Sequence, residues 1–431
     1  MNVTLDYGKT GLDLDLSKLD ATIISPKFLP GLPEEEAAFE IAVQTPINAV
    51  PLRSSIQSHE SVAIVIPDIT RALPNERLLS WVFKELSHVP KENYTIISGT
   101  GTHRENTTDE WVYMVGETIY NNYKCINHTG FDPDSMTLAG TSRFGYDVYF
   151  NTEYASADRR IIMGFIEPHF MAGYSGGYKA AFPGVASVES IMKYHSATNI
   201  GHPGSTWGNL ENNPTQENVR AGGSLMPVDF LINVTLNNKR EITGFFLGDP
   251  IDAHELGCQF CKDTAMVACE EPFDIVVTSN SGFPLDQNLY QAVKGMSAAA
   301  QILTPGGLII SAARCNDGFP DHGNFKQFLF DHDSPGAMLD KICRPGFEQL
   351  DQWQVQLLAI IFQKGRIGVF SELADEELRK AHFTPIKDIR EAIDREEERL
   401  QRRARVAVLP EGPLTIPYLN EPNYKSGITS G

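Results

Sequence analysis

"SVAIVIPD" (61–68), followed at once by "PNERLLSWVFKEL" (74–86), decides the fold. The first is a continuous apolar run of strand length and reads as a buried strand. The second reads as a helix, with Pro74 well placed at its start. The same alternation continues. "NYTIISGT" (93–100) is a strand, and Thr107 with Glu110 makes a capping-box spacing ahead of "WVYMVGETIY". "RRIIMGFI" (159–166) is a strand that leads into "EPHFMAGYSGGYKAAFPGVASVESIMKYH" (167–195), whose last third reads as a short helix capped by Ser187. A second series begins near 270: strands at 273–280, 306–313, 365–371 and 404–410, helices at 287–303, 323–332, 350–363 and 386–403. Strands alternating with helices imply largely parallel sheets covered on both faces. The expectation is two α/β domains with mostly parallel sheets and an active site in the cleft between them. The boundary falls at "ACEEPFD", giving a catalytic domain over 1–269 and a C-terminal α/β domain over 270–404. The tail 405–431 is expected to pack back on the first domain.

Bulk properties bound the function. The 431 residues suffice for two full cores, and 42% hydrophobic with 21% charged residues reads as globular. A net charge of −19 argues against nucleic acid, which needs a basic face. The N-terminus is acidic and does not read as a signal peptide, and no apolar run approaches the ~20 residues of a membrane span. Six thinly spread cysteines suit a reducing compartment, so a cytoplasmic location is expected. Cys258 and Cys261 form one lone C-x-x-C. It is either a zinc or redox pair or simply two cysteines on one helical turn; nothing supplies the second pair a zinc finger needs.

Four segments place polar residues just after a strand, where open α/β sheets bind ligands. They are "IPDITRALP" with Asp68, Thr70 and Arg71; "SGTGTHRENT" with Gly101, Thr102 and His103; the 167–195 stretch; and "SNSGFPLDQNLYQAVKG" with Gln291 and Lys294. "SGTGTH" leaves a strand toward a helix, so its amides offer a generic anion pocket, though it matches neither a Walker A loop nor G-x-G-x-x-G. His103 is an acid/base candidate, since histidine titrates near neutral pH. Arg71 and Lys294, read at helix starts or first turns in different domains, could together hold a carboxylate, arginine in bidentate fashion. Taken singly, each cation or histidine also reads as ordinary surface or structure. His169 and His195 stand 26 residues apart with no H-E-x-x-H, so a three-ligand zinc site is unsupported. Lys179, closing the glycine turn "GYSGGYK", can touch a phosphate, act as a nucleophile or anchor a cofactor.

Together these residues resemble the lactate racemase family, whose members carry a nickel-pincer nucleotide. The resemblance covers essentially the whole chain. It is most specific at "PHFMAGYSGGYKAAFPG", with steps of 10 residues from His169 to Lys179 and 16 on to His195. "PDITRALP", "GTGTHR" and "DQNLYQAVKG" follow the expected order. The resemblance implies that Lys179 carries the cofactor, a pyridinium-3-thioamide-5-thiocarboxylic acid mononucleotide with nickel. It implies that His195 ligates the metal, with two sulfurs and a ring carbon of the cofactor completing the set. His103 and His169 would be the acid/base pair on opposite faces of the substrate. Arg71, Lys294 and Gln291 would orient its carboxylate, and Asp68, Thr70, Gly101 and Thr102 would lie near the cofactor's ribose-phosphate or the catalytic arginine. The glycines of the turn would give the backbone room beside a flat cofactor. The implied reaction is racemisation or epimerisation of a 2-hydroxy carboxylic acid through a 2-keto acid by hydride transfer, a step the cofactor supplies while the protein orients. Soft sulfurs with one nitrogen suit square-planar nickel(II). The implied partners are a small 2-hydroxy acid and the enzymes that mature the cofactor, with neither nucleic acid nor membrane. Two other readings stay open on the residues alone: a phosphate-ester or nucleotide transferase using both glycine loops, and a non-catalytic member of the family.

Overall fold

The computed structural model describes residues 2–27, 29–320 and 323–420. The chain divides into two units, an N-terminal one over 28–195 and 202–264, and a C-terminal one that gathers residues 1–27, 196–201 and 265–431.

The N-terminal unit is built on a six-stranded sheet. Its order is Ile242–Gly248, Phe230–Leu236, Arg159–Phe165, Val62–Pro67, Tyr94–Gly99, Lys124–Asn127. All neighbours are parallel except the first pair, an antiparallel edge. The strand that opened the sequence reading lies inside the sheet, and its side chains part by alternation. Val62, Ile64 and Ile66 enter one hydrophobic core with Leu78, Leu79 and Val82 of the helix Asn75–Glu85. Ala63 and Val65 enter the opposite core with Tyr178, Ala181, Phe182 and Val185, which follow the glycine turn. Each fully buried Val or Ile contributes about 1.5–3 kcal/mol, so the turn is anchored by the same burial that fixes the sheet.

The chain leaves Val62–Pro67 in one direction, through Tyr94–Gly99 to Lys124–Asn127, and then returns to lay Arg159–Phe165 on the other flank. That reversal is a topological switch point, and ligands of open α/β sheets bind beyond the strand ends there. Asp68 follows one of the two strands at the switch, and Glu167 to Lys179 follow the other.

The C-terminal unit holds a second six-stranded sheet, ordered Thr384–Ile386, Arg366–Phe370, Leu303–Ala312, Phe273–Ser279, Arg405–Leu409, Asp20–Ile23, all parallel. Val276, Ile309 and Ala407 feed one core, and Ile275, Val277, Ile310 and Val408 feed the other. This sheet changes the expected division. The described tail pairs with Asp20–Ile23 and Met266–Cys269, residues read into the first domain, but both of these strands belong to the C-terminal unit. Arg405–Leu409 is inserted between Phe273–Ser279 and Asp20–Ile23, because its apolar run must be covered on both faces. The N-terminal 27 residues join the same unit, and Ala265, not residue 270, begins its main body. Residues 421–431 of the tail lie outside the described residues.

Several boundaries differ for local reasons. The helix read over 111–120 is two, Thr108–Val115 and Glu117–Asn122, broken where Gly116 takes φ +81°. The capping box of Thr107 and Glu110 is present with both bonds. The last long helix begins at Ile389 because Thr384–Ile386 is already an edge strand. Among the described residues no helix is long and apolar enough to cross a membrane.

Candidate active site

Asp68 is buried at the end of its strand and organises the first cluster. His103 Nδ1 lies 2.6 Å from Asp68 Oδ2, and the Thr70 hydroxyl donates to Oδ1 at 2.6 Å. The Thr70 amide donates to the same oxygen at 3.1 Å. Burial alone would raise this carboxyl. The bonds from His103 and Thr70, with the charges of His103 and Arg71, outweigh it and hold the carboxyl below the usual range. A carboxylate only accepts, so His103 carries its neutral-state hydrogen on Nδ1 and turns the lone pair of Nε2 outward. Asp68, expected near a cofactor, thus bonds His103 directly, and Thr70 acts on it only through Asp68.

The loop that carries His103 differs from its reading. Gly101 takes φ +57°, and its amide donates to the Gly184 carbonyl at 3.0 Å. The helix beyond begins only at Thr108, where the Glu110 amide donates to the Thr107 hydroxyl and the Thr107 amide to the Glu110 carboxylate. Glu110 also holds Arg104 in a two-pronged ion pair. The helix start itself is thus occupied by a capping box, five residues beyond the SGTGTH loop's end at His103 in the helix Thr108–Val115. Thr102 is half-buried in the same turn.

The second cluster lies in the stretch after Arg159–Phe165. Pro168–His169 and Gly173–Tyr174 form a two-rung antiparallel turn. His169 Nδ1 accepts the backbone N–H groups of Met171 at 3.3 Å and Ala172 at 3.2 Å, and its ring stacks on Phe170 at 4.7 Å. His169 Nε2 faces Lys179 Nζ at 3.5 Å. Lys179 is half-buried on the single helical turn Gly177–Ala180. Desolvation, then repulsion from the Arg71 guanidinium, pushes its ammonium down to about 7, against a smaller pull from Glu167. About half of this amine is therefore neutral at neutral pH.

His195 ends the helix Val188–Tyr194, which Ser187 caps as expected. Its Nδ1 lies 3.1 Å from the Ile191 carbonyl. A carbonyl cannot donate, so Nδ1–H donates and the lone pair sits on Nε2. Desolvation, then the Lys179 charge, pushes the ring down to about 3, against the opposing bond to Ile191. His195 is thus neutral at any ordinary pH, as a metal-ligating imidazole must be.

Asp68, Arg71, His103, His169, Lys179 and His195 are joined by these bonds and charge interactions into one site. Lys294 and Gln291 belong to the C-terminal unit. Both are half-buried on the helix Leu289–Ala300, which Asn288 caps through the Gln291 amide at 3.0 Å. Lys294 stands in the interior of that helix, not in its first turn.

The glycines of the turn serve a different purpose from the one expected. A Cβ on Gly177, at φ +55°, would come within 2.8 Å of the His254 ring, and one on Gly173 would strike the Asn209 carbonyl. Neighbouring protein, not an open slot, fills these places. Sequence reading missed these supports. Asn233, fully buried, accepts the Gly177 amide at 2.8 Å. His254 Nε2–H donates to the Ser175 carbonyl at 2.8 Å, and the Cys258 sulfur lies 3.3 Å from the same nitrogen. Cys258 and Cys261 share one turn of the helix Asp252–Ala265, and burial pushes both thiols up. Among the described residues no group of three or more His, Cys, Asp or Glu could hold a metal by itself. A metal at His195 would need its other donors from elsewhere.

Comparison with known proteins agrees with the architecture. Residues 7–208 match the lactate racemase N-terminal domain and residues 268–416 the lactate racemase C-terminal domain. A lactate racemase of Thermoanaerobacterium thermosaccharolyticum is 33% identical over 423 residues, covering 96% of this chain and 99% of that one. A lactate racemase of Lactiplantibacillus plantarum is 36% identical over 382 residues, covering 88% of this chain and 90% of its own. The lactate racemase apoprotein structure from the Thermoanaerobacterium species superposes with a TM-score of 0.89 at 32% identity, covering 98% of this chain and all of that chain. A protein from Thermotoga maritima shares the fold at 17% identity with a TM-score of 0.68. The chain belongs to the lactate racemase family.

Proposed function

We propose that this protein racemises or epimerises a 2-hydroxy carboxylic acid, and that Lys179 carries a nickel-pincer nucleotide. The observation that carries the reading is the state of Lys179. A half-buried amine titrating at about 7, between Arg71 and His169, is a nucleophile at neutral pH and fits a covalent anchor. His195 fits a single metal ligand, because its Nδ1–H is committed to Ile191 and its Nε2 keeps the lone pair. The lack of a complete protein ligand set among the described residues fits a metal whose remaining donors come with the cofactor. When bound, such a group would supply acceptance of the α-hydrogen as hydride, sparing the substrate a carbanion beside its carboxylate.

The rest falls to the chain's own residues. His103 takes the hydroxyl proton at Nε2 and returns it, and Asp68, 2.6 Å from Nδ1, stabilises the imidazolium between those events. His169 attends the hydroxyl from the second cluster. Arg71 offers a planar, permanently charged fork for the substrate carboxylate, with Lys294 and Gln291 assisting. Gly101 and Thr102 shape the loop that presents His103. The relatives' name makes lactate the first substrate to try.

The test uses protein matured by cofactor-synthesising enzymes in a cytoplasmic expression host. Intact mass should show an adduct on the wild type and none on Lys179→Ala. Chiral analysis over a panel of 2-hydroxy acids should then show loss of optical purity, with little solvent deuterium entering at the α-carbon. An unchanged adduct on the alanine variant would remove Lys179 as the anchor.

A further inference from the structure

The two histidines of the site make opposite commitments at Nδ1, and this decides what each offers at Nε2. A neutral imidazole has one N–H and one lone pair. For His103 the partner at Nδ1 is the Asp68 carboxylate, an acceptor, so Nε2 is bare. For His169 the partners are the amides of Met171 and Ala172, which only donate. Its lone pair is therefore at Nδ1 and its hydrogen at Nε2, which the neutral form of the Lys179 amine, 3.5 Å away, can accept. A hydrogen on His169 Nδ1, in the other neutral tautomer or in the imidazolium, would face two N–H groups and forfeit both bonds.

The turn that aims these amides is itself held from outside. Asn213 is fully buried, and its Nδ2 donates to the Met171 carbonyl and the Asn209 carbonyl, each at 2.9 Å. Its Oδ1 accepts the Gln216 amide at 3.1 Å and so caps the helix Pro214–Gly223. The Gly208 amide donates to the Gly173 carbonyl at 2.9 Å, and Trp207 packs against Phe170, which in turn stacks on the His169 ring.

We infer that His169 is held as the Nε2–H tautomer, a hydrogen-bond donor to the substrate oxygen while His103 is the base, and that Asn213 is the positioning residue that sets this. The inference deepens the racemase reading above and rests on it. A substrate whose hydroxyl meets His103 finds a base at once. One whose hydroxyl meets His169 finds a donor, and its proton moves there only after the ring has released Met171 and Ala172 and carries its own hydrogen on Nδ1, which frees the Nε2 lone pair. The enantiomers have equal free energy, so kcat/KM is the same in both directions. The asymmetry appears instead as kcat and KM that differ together between the two hands, by roughly fivefold, since the two long bonds share one lone pair and together are worth about one net hydrogen bond.

The tautomers are read directly from nitrogen–proton correlation spectra of histidine-labelled apoprotein at neutral pH, with His169 assigned by its loss in His169→Gln. The expected result is a protonated Nε2 on His169 and a protonated Nδ1 on His103. A protonated Nδ1 on His169, or an imidazolium, overturns the inference. In Asn213→Asp an oxygen replaces the amide donor opposite two carbonyls while the helix cap remains. His169 should then show exchange between tautomers with His103 unchanged, and the difference in kcat between the two hands should shrink. An unaltered His169 pattern removes Asn213 from the role. If the aspartate variant does not fold, Asn213→Ser repeats the test, and the wild-type spectrum decides the tautomer by itself. Because the spectra need no turnover, protein that fails to racemise would sink the functional reading and leave the tautomer result standing.

Discussion

Lys179→Met keeps the length of the side chain and removes its amine, so it isolates what the buried charge costs. The ordinary lysine value is 10.5, and the folded protein lowers it to about 7. Below about pH 7 both folded and unfolded chains hold the proton, and the folded state bears the whole penalty. That penalty is 3.5 pK units at 1.36 kcal/mol each, about 5 kcal/mol, less what solvent reaches at a half-buried nitrogen. As pH rises through 7 the folded chain releases its proton while the unfolded chain keeps it, so wild-type stability climbs until the unfolded lysine titrates as well. Between about pH 6 and about pH 9 the gain integrates to roughly 2–3 kcal/mol. His195, His128 and His254 are also lowered, to about 3, 4 and 4; their folded rings stay neutral across this window with or without the Lys179 charge, so the unfolded-state titration near 6.5 that they add at its acid end cancels in the difference. The assay is urea unfolding of both apoproteins across that range. The difference in stability, methionine variant minus wild type, should be largest at the acid end and shrink by roughly 2–3 kcal/mol toward the alkaline end. Parallel pH profiles would show that Lys179 titrates normally and would remove the main support for its role as nucleophile.

Two further outcomes follow from the site. Asp68→Asn leaves an acceptor for the His103 N–H but no charge to stabilise the imidazolium, so kcat should fall about a hundredfold while cofactor attachment, read by intact mass, is unchanged. Gly177→Ala pushes a methyl group into the His254 ring at a positive φ, so thermal or urea unfolding should show a loss of about 2 kcal/mol or more, with slower adduct formation at Lys179.

The elements legible in the sequence were those that advertise themselves locally. Val62–Pro67 and Phe273–Ser279 are continuous apolar runs, and the Thr107–Glu110 box is a four-residue pattern. The antiparallel pair Phe230–Leu236 and Ile242–Gly248 went unread, although "LNNKR" between the strands is a turn signal of the familiar kind. Asp20–Ile23 could not be assigned, since a four-residue edge strand owes its place to a partner 385 positions away in Arg405. Positions 68, 103, 169, 179 and 195 stood out because charged and glycine-rich segments follow strand ends. Asn209, Asn213, Asn233 and His254 did not, because they act only through backbone groups that folding brings to them. Asn213 did leave a trace: Asn-Pro before a helical stretch is a cap followed by a first-turn proline, and it can be read from two letters. The family resemblance supplied the proposed acid/base pair, and the hydrogen bonds at each Nδ1 are what distinguish its two members.

The placement of Arg405–Leu409 has a bearing on how the protein is made. Asp20–Ile23 leaves the ribosome before any residue of the N-terminal unit, yet its neighbour in the sheet, Arg405–Leu409, follows that whole unit. All the residues of the N-terminal unit lie between them and can close their own sheet while synthesis continues. The leading strand waits meanwhile as an unpaired edge. Its alternation of Asp20 and Thr22 with Ala21 and Ile23 leaves it too short and too polar to recruit a wrong partner. Translation order thus imposes a schedule, with one sheet finished early and the other sealed only when its two ends meet.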